Sequence, residues 1–290
     1  LIASFDIRQS VGLENELPNQ LHTRFDCRKS RLKMNIRQFL FFLLISIFLG
    51  IFSQAKQTAA ATDIHVIWAE LLGKYVKAGG VNYTGFKSEE NRLDQYLKVL
   101  EHTDSKSLPH DEQFAYYINA YNAWTIKLIL SAYPGLTSIK DLGTFWTSPW
   151  EKKFVRIDGD VITLDDIEHH ILRPRFKDPR VHFAINCSAV SCPPLRSEPY
   201  LGNLLDEQLD QATRSFSNNP NNYRLQSNAF YVSRIFKWFA EDFNNDVLGF
   251  YLKFAQDDLK KKLAEKKDVI QIKYLNYDWS LNDIASNQGG

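Results

Sequence analysis

The hydrophobic positions of this chain fall into two regimes. Phe39 to Phe52 is one apolar run, broken only by Ser46 and Gly50, whereas from about residue 63 onward apolar residues recur at the spacing of amphipathic helices and short strands. Ile67, Leu71, Leu72, Tyr75 and Val76 share one face of a first helix, predicted over 63–76 and stopped by Gly79-Gly80. Val81-Asn82-Tyr83 reads as a short extended piece, and Leu93, Tyr96, Leu97 and Leu100 mark a second helix. A third, predicted over 111–130 behind Pro109, is apolar nearly all round (Phe114, Tyr117, Ile118, Tyr121, Trp124, Ile126, Leu128, Ile129), the pattern of a helix buried on most sides. Asn119 and Asn122 lie one turn apart on it. A buried amide left unpaired costs about 1–3 kcal/mol, so each holds a loop backbone, a catalytic side chain or a ligand.

After Pro134-Gly135 comes an aromatic loop, Phe145-Trp146-x-x-x-Trp150. Lys153 to Ile157 and Val161-Ile162 then flank Asp158-Gly159, a hairpin signal. Thr163 with Asp166 resembles a capping box for a short helix over 164–172 that ends before Pro174. Residues 180–186 alternate, with Val181, Phe183 and Ile185 on one side and His182, Ala184 and Asn186 on the other, which predicts a strand. Cys187 to Pro194 fits no regular element. A helix over 201–216, strands at 224–225 and 230–232, a helix over 247–257, a charged helical surface over 260–268 and a strand over 270–275 complete the pattern. With no repeat and no linker, the expectation is one α/β (α+β) domain over 63–283, its buried central helix packed on a mixed sheet.

Charge narrows the function classes. With 35 basic and 34 acidic residues, net +1, the chain lacks the basic excess of a nucleic-acid-binding surface, and no nucleic-acid partner is expected. The apolar run is shorter than the roughly 20 residues a spanning helix needs. It follows Met34, the only methionine, and Arg37, and precedes the small residues Ser53-Gln54-Ala55 and Ala59 to Ala61. This is the form of a secretory signal over 34–55. The protein is therefore expected to be exported, periplasmic or extracellular, with no stable membrane span after cleavage; an uncleaved anchor is the alternative. Residues 1–33 precede the methionine and read as a leader outside the native protein. Cys27 would be lost with them, leaving Cys187 and Cys192 in an oxidising compartment.

The short helix over 164–172 carries Glu168 inside its apolar arc, His169 at the edge and His170 outside. A carboxylate facing a core needs a partner: Arg156, Arg173, Arg180 or Arg196 are available, and a structural ion pair and a functional acid are both open. Cys187 stands where the predicted strand gives way to a loop, a place where a rigid scaffold presents an accessible group. A thiol nucleophile needs a base or a positive neighbour; His169 is the first candidate and His182 the second, with Asn119, Asn122 or an acid to orient the ring. Backbone N–H groups after Cys187 are candidates for binding an oxyanion. Two readings compete: a Cys187–Cys192 disulfide, and a zinc site built from His182, Cys187, Cys192 and His169. Phosphate-loop, dinucleotide and G-x-S-x-G patterns are absent, and no cofactor is expected.

At Tyr117-Ile118-Asn119-Ala120-Tyr121-Asn122, at Ile167-Glu168-His169-His170-Ile171-Leu172-Arg173, and from Asp178 through Cys187 to Pro193, the chain resembles the domain-of-unknown-function 547 family, in its bacterial exported form. The resemblance runs from about Trp68 to Asn282 and includes Tyr277-Asp278-Trp279. It carries over at Asn119, Asn122, Glu168, His169, Arg173, Cys187, Ser191 and Pro193, and departs at Ser188, where the family generally has glycine. It implies that Cys192 and His182, often replaced in plant-type members, are less general than Cys187 and His169. The Cys, His and Asn types suggest, by analogy alone, a papain- or transglutaminase-like thiol enzyme. The expectation is a thiol-dependent hydrolase or acyl-transferase on amide or ester bonds. Cys187 is its nucleophile, His169 its base, and Asn119 or Asn122 orients or stabilises. Glu168, Arg173, His182 and Ser191 are support, and the ligand is a small molecule or peptide. A non-catalytic binding or scaffold domain, whose aromatic loop lines a cleft, is the second expectation.

Overall fold

The computed structural model describes residues 64–144 and 146–284, together with Leu40, Phe41 and Leu43. The chain divides into residues 1–50, of which those three residues are helical, and residues 51–290. The leader over 1–33, the cleavage sites at Ser53 to Ala61 and Phe145 lie outside the described residues, as does all of the signal over 34–55 except those three positions. Among the described residues no helix is long and apolar enough to cross a membrane.

The second unit is a mixed α/β structure whose side chains condense into two hydrophobic clusters. The first gathers α1 (Val66–Tyr75), α2 (Tyr83–Ser88), α3 (Glu90–His102) and α4 (His110–Leu130). The turn after α1 reverses through Ala78 and Gly79, both at positive φ, and pairs β1 (Val76–Lys77) with β2 (Gly80–Val81). Asn82 caps α2 by accepting the Gly85 N–H at 2.8 Å. As its pattern requires, α4 is buried around almost its whole circumference, from Gln113 through Leu130 except at Lys127. The hairpin β3 (Val155–Ile157) and β4 (Asp160–Ile162) turns through Asp158 and Gly159, φ 54° and 82°, the left-handed pair that suits the twist of a two-residue loop.

The second cluster holds α5 (Leu205–Asn218), α7 (Val247–Phe254), α8 (Asp257–Glu265) and a three-stranded sheet. In that sheet β5 (Tyr223–Gln226) is antiparallel to β6 (Ala229–Val232), and β7 (Gln271–Tyr274) is parallel to β6. A four-residue helix, α6 (Ile235–Trp238), follows β6. The mixed sheet is present, but α4 packs against α3 and the helical segments around it. The inner face of the sheet, Phe230 and Val232, is covered instead by residues such as Tyr251 and Leu263. A helix apolar on every side is satisfied by neighbouring helices as well as by a sheet.

Several elements differ from the sequence pattern: Tyr83, read as extended, opens α2, and the helix read over 247–257 ends at Phe254, with α8 beginning at Asp257. Pro179–Phe183 is a 3₁₀ helix, not a strand. Asp178 caps it by accepting the Arg180 N–H at 2.9 Å, and Pro179 occupies its first turn. Its alternation had a different cause: Val181, Ala184 and Ile185 pack in the first cluster and Phe183 in the second, so the segment is buried from both sides. The helix that begins at Leu164 does not stop at Leu172. It winds as a π-helix over Asp166–Phe176, runs through Pro174, and ends where Lys177, φ 54°, returns its N–H to the Arg173 carbonyl. A proline lacks the donor and crowds the i−4 carbonyl of an α-helix, whereas the wider ladder takes a different register. The expected cap is present, with Thr163 N–H donating to Asp166 Oδ2 at 2.9 Å and Asp166 N–H to Thr163 Oγ1 at 2.8 Å.

Candidate active site

A cleft of about 200 Å³ opens where the π-helix, α6, the turn after Cys187 and the C-terminal segment meet. One wall is aromatic. Tyr277 and Trp279 have ring centroids 4.6 Å apart, Trp238 lies 4.8 Å from Tyr277, and Trp150 lies 5.8 Å from Trp279. Trp150 is the part of the predicted aromatic loop that reaches the cleft; Trp146 is exposed and does not line it. The opposite wall carries the chemistry: Asp165, Glu168, His169, His182, Cys187 and Cys192.

Cys187 is half-buried and Cys192 buried, and both are free thiols. The Cys187 N–H points at Cys192 Sγ, 2.8 Å away, and the Tyr277 hydroxyl lies 3.3 Å from Cys187 Sγ. The neighbouring Cys192 thiol holds Cys187 below the usual thiol range, with help from the Tyr277 hydroxyl and the Ala189 N–H and against burial. Cys192 itself is pushed well up by burial and by Cys187. Hydrogen bonds, not an imidazolium, favour the Cys187 thiolate: among the described residues no hydrogen bond joins its sulfur to a histidine.

Glu168 is pushed up to about 7 by burial, despite the Tyr121 hydroxyl 3.2 Å from its Oε2. None of the four arginines expected to pair with it does so. Arg173 bonds Asp242, Arg180 bonds Asp178, Asp206 and Asp210, Arg156 faces Glu101, and Arg196 faces Glu198. His169 lies one π-helical turn from Arg173, whose Nη1 donates to its Nδ1 at 2.7 Å. A guanidinium only donates, so neutral His169 carries its proton on Nε2, 3.4 Å from Asp165 Oδ1. Burial holds its pKa below the usual imidazole value. Asp242 gathers the rest of this wall. Its carboxylate takes Arg173 Nε at 2.5 Å and Nη2 at 3.1 Å, and His182 Nε2 at 2.6 Å. Although burial opposes ionisation, those bonds keep Asp242 well below the usual carboxylate range. His182, buried and stacked 3.9 Å from Phe239, is held neutral by desolvation. Its other nitrogen, Nδ1, has no hydrogen-bond partner.

The two asparagines are not brought to the cleft. Asn119 Nδ2 donates to the Tyr200 carbonyl at 2.7 Å and its Oδ1 accepts the Tyr200 N–H at 3.0 Å. Asn122 does the same one turn on, donating to the Ala184 carbonyl at 3.0 Å and accepting the Asn186 N–H at 2.8 Å. Asn119 Nδ2 also lies 3.2 Å from His65 Nε2; otherwise both amides hold loop backbone, and Asn122 fixes the chain immediately before Cys187. Ser191 is likewise structural, its Oγ accepting the Asp278 N–H at 2.9 Å. The turn after Cys187 is no free oxyanion site either. Ser188 N–H bonds Asn186 Oδ1, Val190 N–H the Ser280 carbonyl and Ser191 N–H the Asp278 carbonyl. Ser188 sits at φ 62°, the left-handed conformation that glycine adopts most readily. Among the described residues no three His, Cys, Asp or Glu side chains converge on a metal position, so the zinc set read from the sequence is not assembled.

Asp242 and Tyr277 are the two participants that sequence reasoning missed. Tyr277 lies in a motif already singled out, but nothing local assigns it to a thiol 90 residues away. Asp242 belongs to a stretch, Glu241 to Asp246, that carries no motif to single it out.

Residues 105–216 match a family model described as "Protein of unknown function, DUF547". No curated protein and no solved structure matches the chain.

Proposed function

Over residues 105–216 the chain belongs to the DUF547 family, and since that membership assigns no reaction, we propose one from the cleft: thiol-dependent acyl transfer, as hydrolysis or transfer of an amide or ester, with Cys187 as nucleophile. The observation that carries it is the hydrogen-bonded, depressed Cys187 thiol sharing a cleft wall with a carboxyl that titrates near neutrality. Cys187 Sγ attacks the carbonyl carbon and forms a thioester. Protonated Glu168 gives its proton to the departing amine or alcohol, then as carboxylate takes one from the incoming water or acceptor. His169, expected from sequence to be the base, offers an Nε2–H instead. With the N–H groups of the turn engaged, that donor meets the charge on the carbonyl oxygen while Glu168 handles the proton. Export to the periplasm or beyond, read from 34–55, belongs to the same proposal.

An activated aryl ester tests it. The expected result is acylation confined to Cys187, seen as an intact-mass adduct mapped by peptide analysis and absent from Cys187→Ala. Equal labelling of Cys187→Ala, or no adduct at all, overturns the reading. A non-catalytic binding domain is the second reading, favoured by the wall of Trp150, Trp238, Tyr277 and Trp279 and by the lack of lysine or arginine among the described lining residues. Such a site takes neutral or cationic ligands. A ligand bound equally by wild type and Cys187→Ser, and never turned over, would favour it.

A further inference from the structure

We propose that Cys187 and Cys192 act together as a dithiol that exchanges with disulfide substrates, an activity separate from acyl transfer. The two sulfurs differ in the way such a pair requires. Both line the cleft, but Cys187 is half-buried whereas Cys192 is buried. The Cys192 sulfur is in hydrogen-bond contact with Cys187. Cys192 Sγ lies 2.8 Å from the Cys187 nitrogen, and the Cα is about 1.5 Å beyond that nitrogen, so the Cys192 sulfur sits beside the Cys187 backbone. The turn that holds them is pinned at both flanks, by Asn122 before Cys187 and by Ser280 and Asp278 carbonyls after it. On this proposal the bond closes by rotation of the two side chains within the pinned turn.

The chemistry balances without any further reagent. Cys187 thiolate attacks one sulfur of the substrate disulfide, forming a mixed disulfide and releasing the other half as a thiolate. Cys192 loses its proton to solvent and attacks the Cys187 sulfur, so the second half leaves as a thiolate. The substrate disulfide gains two electrons, the protein dithiol loses two, and a Cys187–Cys192 disulfide remains. The low pKa of Cys187 and the raised pKa of Cys192 set this order of attack. The Tyr277 hydroxyl, 3.3 Å from Cys187 Sγ, serves the attacking sulfur.

Oxidised glutathione added to the reduced protein is the test, read by intact mass after acid quench and by thiol alkylation. Wild type is expected to lose both thiols together and retain no glutathione. Cys192→Ser is expected to stop with one glutathione on Cys187, and Cys187→Ser to react at least tenfold more slowly. A wild-type protein that accumulates glutathione on Cys187 while Cys192 stays alkylatable overturns the proposal, as does faster reaction at Cys192. Because acylation is scored on reduced protein without any disulfide, failure of one proposal is distinguishable from failure of the other.

Discussion

Tyr277 sets its hydroxyl 3.3 Å from the sulfur of Cys187, across 90 residues of chain. The contact ties the C-terminal segment to the reactive turn, and it depends on the backbone bonds that Ser191 and Val190 make with Asp278 and Ser280. A hydrogen bond to a charged group contributes about 1.5–3 kcal/mol, so Tyr277→Phe is expected to raise the Cys187 pKa. Alkylation at pH 7 should slow by about tenfold. An unchanged pH–rate profile would show that Tyr277 is only packing.

Glu168 gives a pH dependence whose sign is fixed. Its folded pKa, about 7, lies above the ordinary carboxyl value of 4.5, so the folded protein holds this proton more tightly than the unfolded chain. Its contribution to stability is complete below about pH 4.5 and is lost as pH rises to about 7. In Glu168→Gln that loss is removed. The variant should gain stability relative to wild type across this window, by up to roughly 3 kcal/mol. Urea unfolding of both proteins at pH 4.5, 6 and 8 measures it, and parallel curves at all three would contradict the assignment.

Asp242 is predicted to be the most costly single residue of the site to remove. Asp242→Ala leaves the Arg173 fork and the buried His182 Nε2–H without an acceptor. Breaking such a partly buried set costs about 3 kcal/mol, and it also releases His169 from its fixed tautomer by freeing Arg173 to move. The expected readout is a lower urea midpoint with an unchanged slope, together with a shifted His169 titration by NMR, since both Asp242 and Arg173 act on that ring. A midpoint shift without any change at His169 would mean that the Arg173 link does not transmit.

Much of the scaffold was legible from periodicity. The all-round apolar pattern of α4 could only mean burial, and Thr163 with Asp166 and Asp158-Gly159 marked their cap and turn because those signals are local. The partners of Asn119 and Asn122 were not legible, since a demand for hydrogen bonds does not say whether backbone or side chain meets it. The segment at 180–186 misled for a related reason. Alternation implies a strand only when one face is wet, and here Phe183 enters one cluster while Val181 and Ile185 enter the other. At Glu168 the wheel reading was right about burial and silent about charge, because the spacing of four that sets Asp165, His169 and Arg173 on one side does not say which carboxylate Arg173 pairs with.

That segment between the clusters has a consequence for how the protein opens. Residues 181–186 are buried on both sides, and Cys187 follows them directly. Loosening the chain there strips neighbours from both clusters at once, so the turn that presents the half-buried thiol to the cleft cannot shift by itself. Its amide neighbours at Ala184 and Ile185, bonded to the Val181 carbonyl, should exchange hydrogen for deuterium only when the whole domain unfolds. The reactive turn is then as durable as the core itself. A mutation far away in either cluster would be read out as a changed reactivity of this one sulfur.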